Sequence, residues 1–212
     1  MIKINEIFFS IQGESSKAGL PCVFVRLTYC NLRCSYCDTE YAFYEGSDMT
    51  IESIIEKVRE YGCNLVEITG GEPLVQKESL ELMTRMCDEG FEVMLETGGS
   101  LPVKDIDKRV KIILDLKCPS SKMMKKNCFE NIEFIKPIDE VKFVIGTRED
   151  YDWAKDIITE YKLTDRCEIL FSVIFGELEP VTLVNWILED KLKIRYQLQM
   201  HKFIWHPEKK GV

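Results

Sequence analysis

The stretch YCNLRCSYCDT (Tyr29–Thr39) places three thiols, Cys30, Cys34 and Cys37, within eight residues, and no further cysteine or histidine follows nearby. A soft-metal site that only holds a fold together closes all four tetrahedral positions with protein ligands. A set of three leaves one position open for chemistry. The spacing by itself suits either zinc or an iron–sulfur cluster. Zinc would need a fourth ligand, for which the nearest candidates in sequence are Asp38, Cys22 and Cys63.

The loop follows CVFVRLT (Cys22–Thr28), an apolar, β-branched run that reads as a buried strand. Comparable runs occupy Ile2–Phe9, Leu65–Thr69, Phe91–Thr97, Lys111–Lys117, Glu140–Gly146, Cys167–Phe175 and Lys193–Met200. Amphipathic helices separate several of them. Thr50 caps one whose Ile51, Ile54, Ile55, Val58 and Tyr61 form an apolar stripe. Lys77–Glu89 carries Leu80, Met83 and Cys87 on one face and stops at Gly90. Glu149–Tyr161 repeats the pattern with Trp153, Ile157 and Tyr161. This alternation predicts one α/β domain over residues 1–212, with right-handed crossovers and a parallel sheet, closed or partly closed, with helices outside. In such sheets function gathers at the C-terminal strand ends. TGGEP (Thr69–Pro73), ETGGS (Glu96–Ser100), DLKCPSS (Asp115–Ser121) and the cysteine loop all fall there.

A formal net charge of −8 argues against a nucleic-acid backbone or an anionic membrane as main partner. The longest basic patch, KMMKK (Lys122–Lys126), reads as a solvated loop. No apolar run reaches the roughly 18 residues needed to span a bilayer. The start, MIKINEIFFS, lacks the basic and apolar regions of a signal peptide, so a cytoplasmic location is expected. In that setting the other six cysteines, Cys22, Cys63, Cys87, Cys118, Cys128 and Cys167, read as core-filling free thiols.

The Cys-x3-Cys-x2-Cys spacing, with Tyr36 before the last cysteine, resembles the signature of the radical S-adenosylmethionine enzymes. The resemblance implies a partial, open parallel β/α barrel, here with an extra N-terminal strand segment. It also implies a [4Fe–4S] cluster on Cys30, Cys34 and Cys37 whose fourth iron takes S-adenosylmethionine. TGGEP resembles the family's glycine-rich motif, in which Gly70, Gly71 and Glu72 lie by the methionine moiety. Tyr36, Cys37 and Asp38 would lie near adenine, and Ser120 and Ser121 near the ribose or carboxylate.

FFSIQGESSKAGLPCVFVRLTYCNLRCSYCDT, with DEVKFVI and QLQMHKFIW, is similar to the 7-carboxy-7-deazaguanine synthase family over nearly the whole chain. That family converts 6-carboxy-5,6,7,8-tetrahydropterin to 7-carboxy-7-deazaguanine with loss of ammonia, in queuosine and 7-deazapurine biosynthesis. S-adenosylmethionine is used catalytically, Mg²⁺ assists, and members are commonly homodimers. A flavodoxin or ferredoxin is the expected reductant. Within that frame Arg26 would pair with the pterin carboxylate through its planar fork. Ile11, Gln12, Gly13, Glu14, Thr69, His201 and the terminal Val212 would line the substrate, with Gln12 and Glu14 reading its amide and amino edge. Thr39 would give a hydroxyl to Mg²⁺, and Gln199 would stand near His201, whereas His206 reads as structural. The family pattern usually continues QGEG, where this chain has Ser15. Two rival readings, a glycyl-radical-activating enzyme and a non-catalytic zinc module, predict respectively a protein substrate and a colourless zinc protein.

Overall fold

Each central strand carries two kinds of side chain in alternation, and that alternation builds the molecule in layers. The computed structural model describes all residues, Met1–Val212. Nine strands form one sheet: β1 (Ile2–Ile11), β2 (Pro21–Leu27), β3 (Ser47–Met49), β4 (Leu65–Gly70), β5 (Glu92–Thr97), β6 (Lys111–Asp115), β7 (Glu140–Ile145), β8 (Glu168–Val173) and β9 (Arg195–Tyr196). Their order is β3-β1-β2-β4-β5-β6-β7-β8-β9. β1 runs antiparallel to β2 and β3, and every other pairing is parallel. The sheet is therefore the expected open parallel barrel wall with an added N-terminal hairpin.

One face of the strands packs on the helices. Val25, Ile68, Leu95, Leu114, Phe143 and Phe171 join a single core with Ile54, Ile55 and Val58 of α1 (Ile51–Arg59) and Leu82, Met83 and Met86 of α2 (Glu78–Asp88). Tyr151, Ala154, Ile157 and Ile158 of α3 (Arg148–Tyr161) and Leu183 and Ile187 of α4 (Pro180–Glu189) complete it. Each fully buried Leu or Ile contributes about 1.5–3 kcal/mol relative to leaving it in water. α1 is capped as expected, with Ser53 N donating to Thr50 Oγ1 at 3.1 Å. α3 starts with a reciprocal capping box between Thr147 and Asp150.

The opposite face turns inward. Phe24 and Arg26 on β2, Glu67 and Thr69 on β4, Glu96 on β5, Ile113 and Asp115 on β6, and Lys142 and Val144 on β7 all line one cavity. They are offset by two along each strand, as the pleat requires.

Several expectations are corrected. Lys193–Met200 is a strand only at Arg195–Tyr196; Gln197 N still bonds Phe171 O at 2.9 Å, while the side chains of Gln197 and Gln199 engage Ser15 and Glu14. On α2 the buried stripe is Ser79, Leu82, Met83 and Met86, with Leu80 and Cys87 at its margin. On α3, Trp153 and Tyr161 flank the buried stripe. Cys22 and Cys118 are buried, but Cys63, Cys87, Cys128 and Cys167 are only half-buried. β3 and α4 went unanticipated.

Candidate active site

The cysteine loop leaves β2 at a strained turn. Tyr29 has φ +77°, a conformation that a non-glycine residue adopts only where its surroundings enforce it. Here the enforcement is mutual: Tyr29 N donates to Ala42 O at 3.0 Å, and Tyr29 O accepts from Glu72 N at 2.8 Å. The glycine pair is needed for that approach. A Cβ on Gly71 would lie 2.2 Å from Tyr29 O and 2.8 Å from Cys30 Cβ, and one on Gly70 (φ +141°) would lie 2.2 Å from Leu27 O. The TGG turn is thus the wall against which the cysteine loop is shaped.

All three cysteines of the loop line the cavity, and none of the other six does. Its volume is about 500 Å³, within the usual range of small-molecule sites. Leu32 N donates to Cys30 Sγ at 3.4 Å, while Cys37 Sγ lies 3.8 Å from Thr39 Oγ1. Burial pushes the Cys30 thiol up and the Cys34 thiol up to about 11, so metal binding has to displace their protons. No three His, Cys, Asp or Glu side chains converge on a single-ion site. Three thiols are a donor set suited to an iron–sulfur cluster with one position left open, and two buried polar atoms without partners, Tyr36 Oη and Asp115 Oδ1, belong to residues of the same cavity.

Lys117 also lines it. Its ammonium lies 2.8 Å from Asp115 Oδ2, and although burial disfavours its charge, Asp115 and the neighbouring Tyr36 and Cys34 hold its pKa above the ordinary value. Asp38 pairs with Lys202 at 2.7 Å; burial opposes its ionisation, but that ammonium holds its carboxyl below the usual range.

The rest of the cavity is a charged floor. Lys142 Nζ, almost wholly buried, lies 2.6 Å from Glu14 Oε2 and 2.8 Å from Glu96 Oε1. Glu14 also accepts from Gln197 and Gln199. Gln12 is buried, donates through Nε2 to Glu67 and accepts from Glu14 N at 3.1 Å. Burial, reinforced by the nearby Glu96, pushes Glu67 well above an ordinary carboxylate. Burial also opposes ionisation of Glu96, but the Lys142 ammonium outweighs it and holds Glu96 below the ordinary value. Arg26 donates only through Nε, to Glu6 Oε1 at 2.8 Å. The phenol of Tyr41 donates to the same carboxylate oxygen at 2.9 Å. The terminal nitrogens of Arg26 carry no intramolecular bond.

Of the residues expected from sequence, Ile11, Gln12, Gly13, Glu14, Arg26, Tyr36, Asp38, Thr39, Thr69, Gly70, Gly71, His201 and Val212 all line this cavity with the three cysteines. His201 packs so closely on Gly13 that a Cβ there would meet Nδ1 at 2.2 Å, and burial lowers its pKa. It starts the short helix α5 (His201–Ile204), after which residues 207–212 line the cavity. Three expectations move. Glu72 is fully buried and points away, accepting from Leu74 N, Thr97 Oγ1 and Gly98 N, so it positions the turn. Ser120 and Ser121 do not line the cavity; their carbonyls accept from Ser35 Oγ at 2.6 Å and Ser35 N at 3.1 Å, anchoring the cysteine loop. Ser15 occupies φ +64°, which explains why glycine suits that position, and its N–H is held by Gln197 Oε1 at 2.8 Å. Glu67 and Lys142 are not singled out from sequence, and Glu96, Asp115 and Lys117 enter only as members of ETGGS and DLKCPSS without a role, although a charged residue inside an apolar run is the signal available.

A model of the radical SAM superfamily matches residues 25–177. The 7-carboxy-7-deazaguanine synthase of Chlorobaculum tepidum is 47% identical, covering 100% of this chain and 97% of that relative. The chain belongs to the 7-carboxy-7-deazaguanine synthase family. A second synthase of this family, from Koribacter versatilis, is 42% identical with 100% of both chains covered. In structure, QueE from Escherichia coli matches with a TM-score of 0.75 at 20% identity, covering 92% of this chain and 93% of that one. Streptococcus suis SuiB, crystallised with S-adenosylmethionine, shares the fold at a TM-score of 0.54 and 16% identity, over 80% of this chain and 44% of its own. Membership sets aside the zinc module and the glycyl-radical-activating enzyme, and it implies a [4Fe–4S] cluster with S-adenosylmethionine, for which the open three-thiol wall is suited.

Proposed function

We propose that the cavity takes 6-carboxy-5,6,7,8-tetrahydropterin and that the protein converts it to 7-carboxy-7-deazaguanine with release of ammonia. The observation that carries this reading is the meeting, in one cavity, of the three thiols with Arg26, Glu14 and Gln12. The cluster and S-adenosylmethionine, when bound, supply a carbon radical able to abstract hydrogen from the substrate.

The chain's own groups hold and orient the pterin. The free terminal nitrogens of Arg26 pair with its carboxylate, since Glu6 and Tyr41 already fix the stem. Glu14, held by Lys142, Gln197 and Gln199, accepts from the pterin's N–H edge. Gln12 has its amide engaged on both sides and acts chiefly by fixing Glu67 and the Glu14 backbone. Thr69 donates to Glu96 at 3.3 Å and borders the substrate. His201, kept neutral by burial, offers a ring nitrogen near Gly13. Thr39 makes no cap bond to the short turn that follows it, which leaves its hydroxyl for Mg²⁺ together with water and substrate oxygen. Phe8, Phe24, Ile174 and Phe175 line the same space and exclude water from a reactive intermediate. Val181 and Leu188, exposed on α4, offer apolar surface for a second copy in a homodimer.

The test is anaerobic: cluster reconstitution, then S-adenosylmethionine, Mg²⁺, reductant and the pterin, with product followed by mass spectrometry and Cys34→Ala as control. Formation of 7-carboxy-7-deazaguanine by the wild type alone is expected. Cleavage of S-adenosylmethionine with the pterin intact would sink the substrate assignment.

A further inference from the structure

We propose that the basic turn Lys122–Lys126, with Arg33, is the docking surface for an acidic one-electron donor protein that reduces the cluster, an inference that rests on the function proposed above. The turn is stitched to the cysteine loop. Ser35, between Cys34 and Cys37, bonds both carbonyls of Ser120 and Ser121, and Lys122 follows directly. Lys122 has φ +60° and closes the tight turn Pro119–Ser121, after which Lys125 and Lys126 fall in a second tight turn, Met124–Lys126.

All three lysines are exposed, and none makes a salt bridge or side-chain hydrogen bond, in a chain whose net charge is −8. Most other cations near this end of the sheet are matched, Lys117 by Asp115 and Lys202 by Asp38. Arg33 is also exposed and lies between Cys30 and Cys34. Its guanidinium sits 4.2 Å from the Phe43 ring and donates to Cys30 O at 2.9 Å and Tyr44 Oη at 3.2 Å, with no carboxylate partner. Four unneutralised cations therefore flank the segment through which the half-buried thiols reach the surface. On an acidic protein such a patch gives a field that steers and orients a negatively charged partner. The aromatic rings of the patch, Phe43 and Tyr44, are engaged by Arg33, and none stands among the lysines.

Arg33, Lys122, Lys125 and Lys126 do not line the cavity, so docking there leaves it to substrate. One electron passes from the donor's reduced cofactor to the cluster; the donor is oxidised by one electron, the cluster is reduced by one, and no bond is made or broken.

The experiment uses the reconstituted protein and the variant K122E/K125E/K126E, with a fully reduced, acidic flavodoxin as probe. Stopped-flow records flavin oxidation at low and high ionic strength, calorimetry records binding to the cluster-free protein, and dithionite-supported turnover runs in parallel. The variant is expected to oxidise the flavin at least about tenfold more slowly at low salt, with the gap closing at high salt. Its iron content and dithionite-supported turnover should be unchanged. Equal flavin oxidation by both proteins, or tighter binding of polyuridylate than of flavodoxin at the patch, would overturn the proposal. Because flavin oxidation is read directly, loss of pterin turnover in the wild type would instead count against the proposed reaction.

Discussion

The ammonium of Lys142 lies 2.6 Å from the carboxylate of Glu14, joining β7 to the loop that follows β1. The pair sits on the cavity floor, and Lys142 reaches Glu96 as well. Removing one member of a buried ion pair leaves the other charge uncompensated, which costs about 3–5 kcal/mol.

Lys142→Met is therefore expected to lower stability by about 3 kcal/mol near neutral pH, somewhat less than a fully dry site because Glu14 and Glu96 retain partial exposure. In the wild type Glu96 titrates below its ordinary 4.5, so its contribution is present above that value and is lost as pH falls through the lower folded value. In the variant the main influence opposing burial is gone, and only the more weakly acting Lys117 still favours the ionised carboxylate. Urea unfolding across pH should show the gap narrowing toward acid; a gap independent of pH would refute this account of the floor.

Glu67 behaves in the opposite sense. Its folded pKa lies above 4.5, so the stability it allows is complete below that value and declines as pH rises toward the folded one. Glu67→Gln keeps an amide partner for Gln12 and removes the ionisation. The variant should melt about 2 °C or more above the wild type near neutral pH, with the difference vanishing in acid. A variant that melts lower at every pH would show that the hydrogen bond, and not the charge, governs this position.

Gly71→Ala pushes a methyl group into the carbonyl of Tyr29 and against Cys30. Backbone cannot yield as a flexible side chain does, so the cysteine loop has to move. Folding should survive with a loss of about 1–3 kcal/mol, while iron bound per chain after reconstitution falls well below that of the wild type. Full iron incorporation would mean that the turn does not shape the loop.

Arg26→Lys exchanges a fork for a point charge. If the terminal nitrogens hold the substrate carboxylate, KM should rise roughly 10- to 100-fold, the worth of a charged hydrogen bond, with a smaller change in kcat. An unchanged KM would move the carboxylate elsewhere in the cavity.

Much of this arrangement was readable before any coordinates, for identifiable reasons. Val23, Val25, Ile68 and Leu95 announce strands because β-branched and apolar runs suit a sheet buried under helices, and Thr50 and Gly90 mark helix ends by local chemistry alone. The three cysteines and TGG stood out by spacing. What stayed hidden depends on register between distant strands: Arg26 opposite Thr69, and Asp115 opposite Lys142, become neighbours only once the parallel pairing is known. Glu72 misled because its place in the glycine motif suggested a ligand contact, whereas its carboxylate serves Thr97 and Gly98. PVTLVNWILE offered a proline start and Leu183 and Ile187 four apart, yet two exposed apolar residues, Val181 and Leu188, blurred its face.

The partners that shape the cysteine loop all come later in the chain than the cysteines themselves: Gly71 N bonds Leu27 O, Glu72 N bonds Tyr29 O, and Ser121 O holds Ser35 N. During synthesis the three thiols leave the ribosome with nothing to arrange them, and their scaffold is complete only after the first six strands have emerged. Maturation of the metal centre is thereby ordered in time after most of translation, and a cluster-delivery factor that meets the nascent chain early finds thiols but no nest.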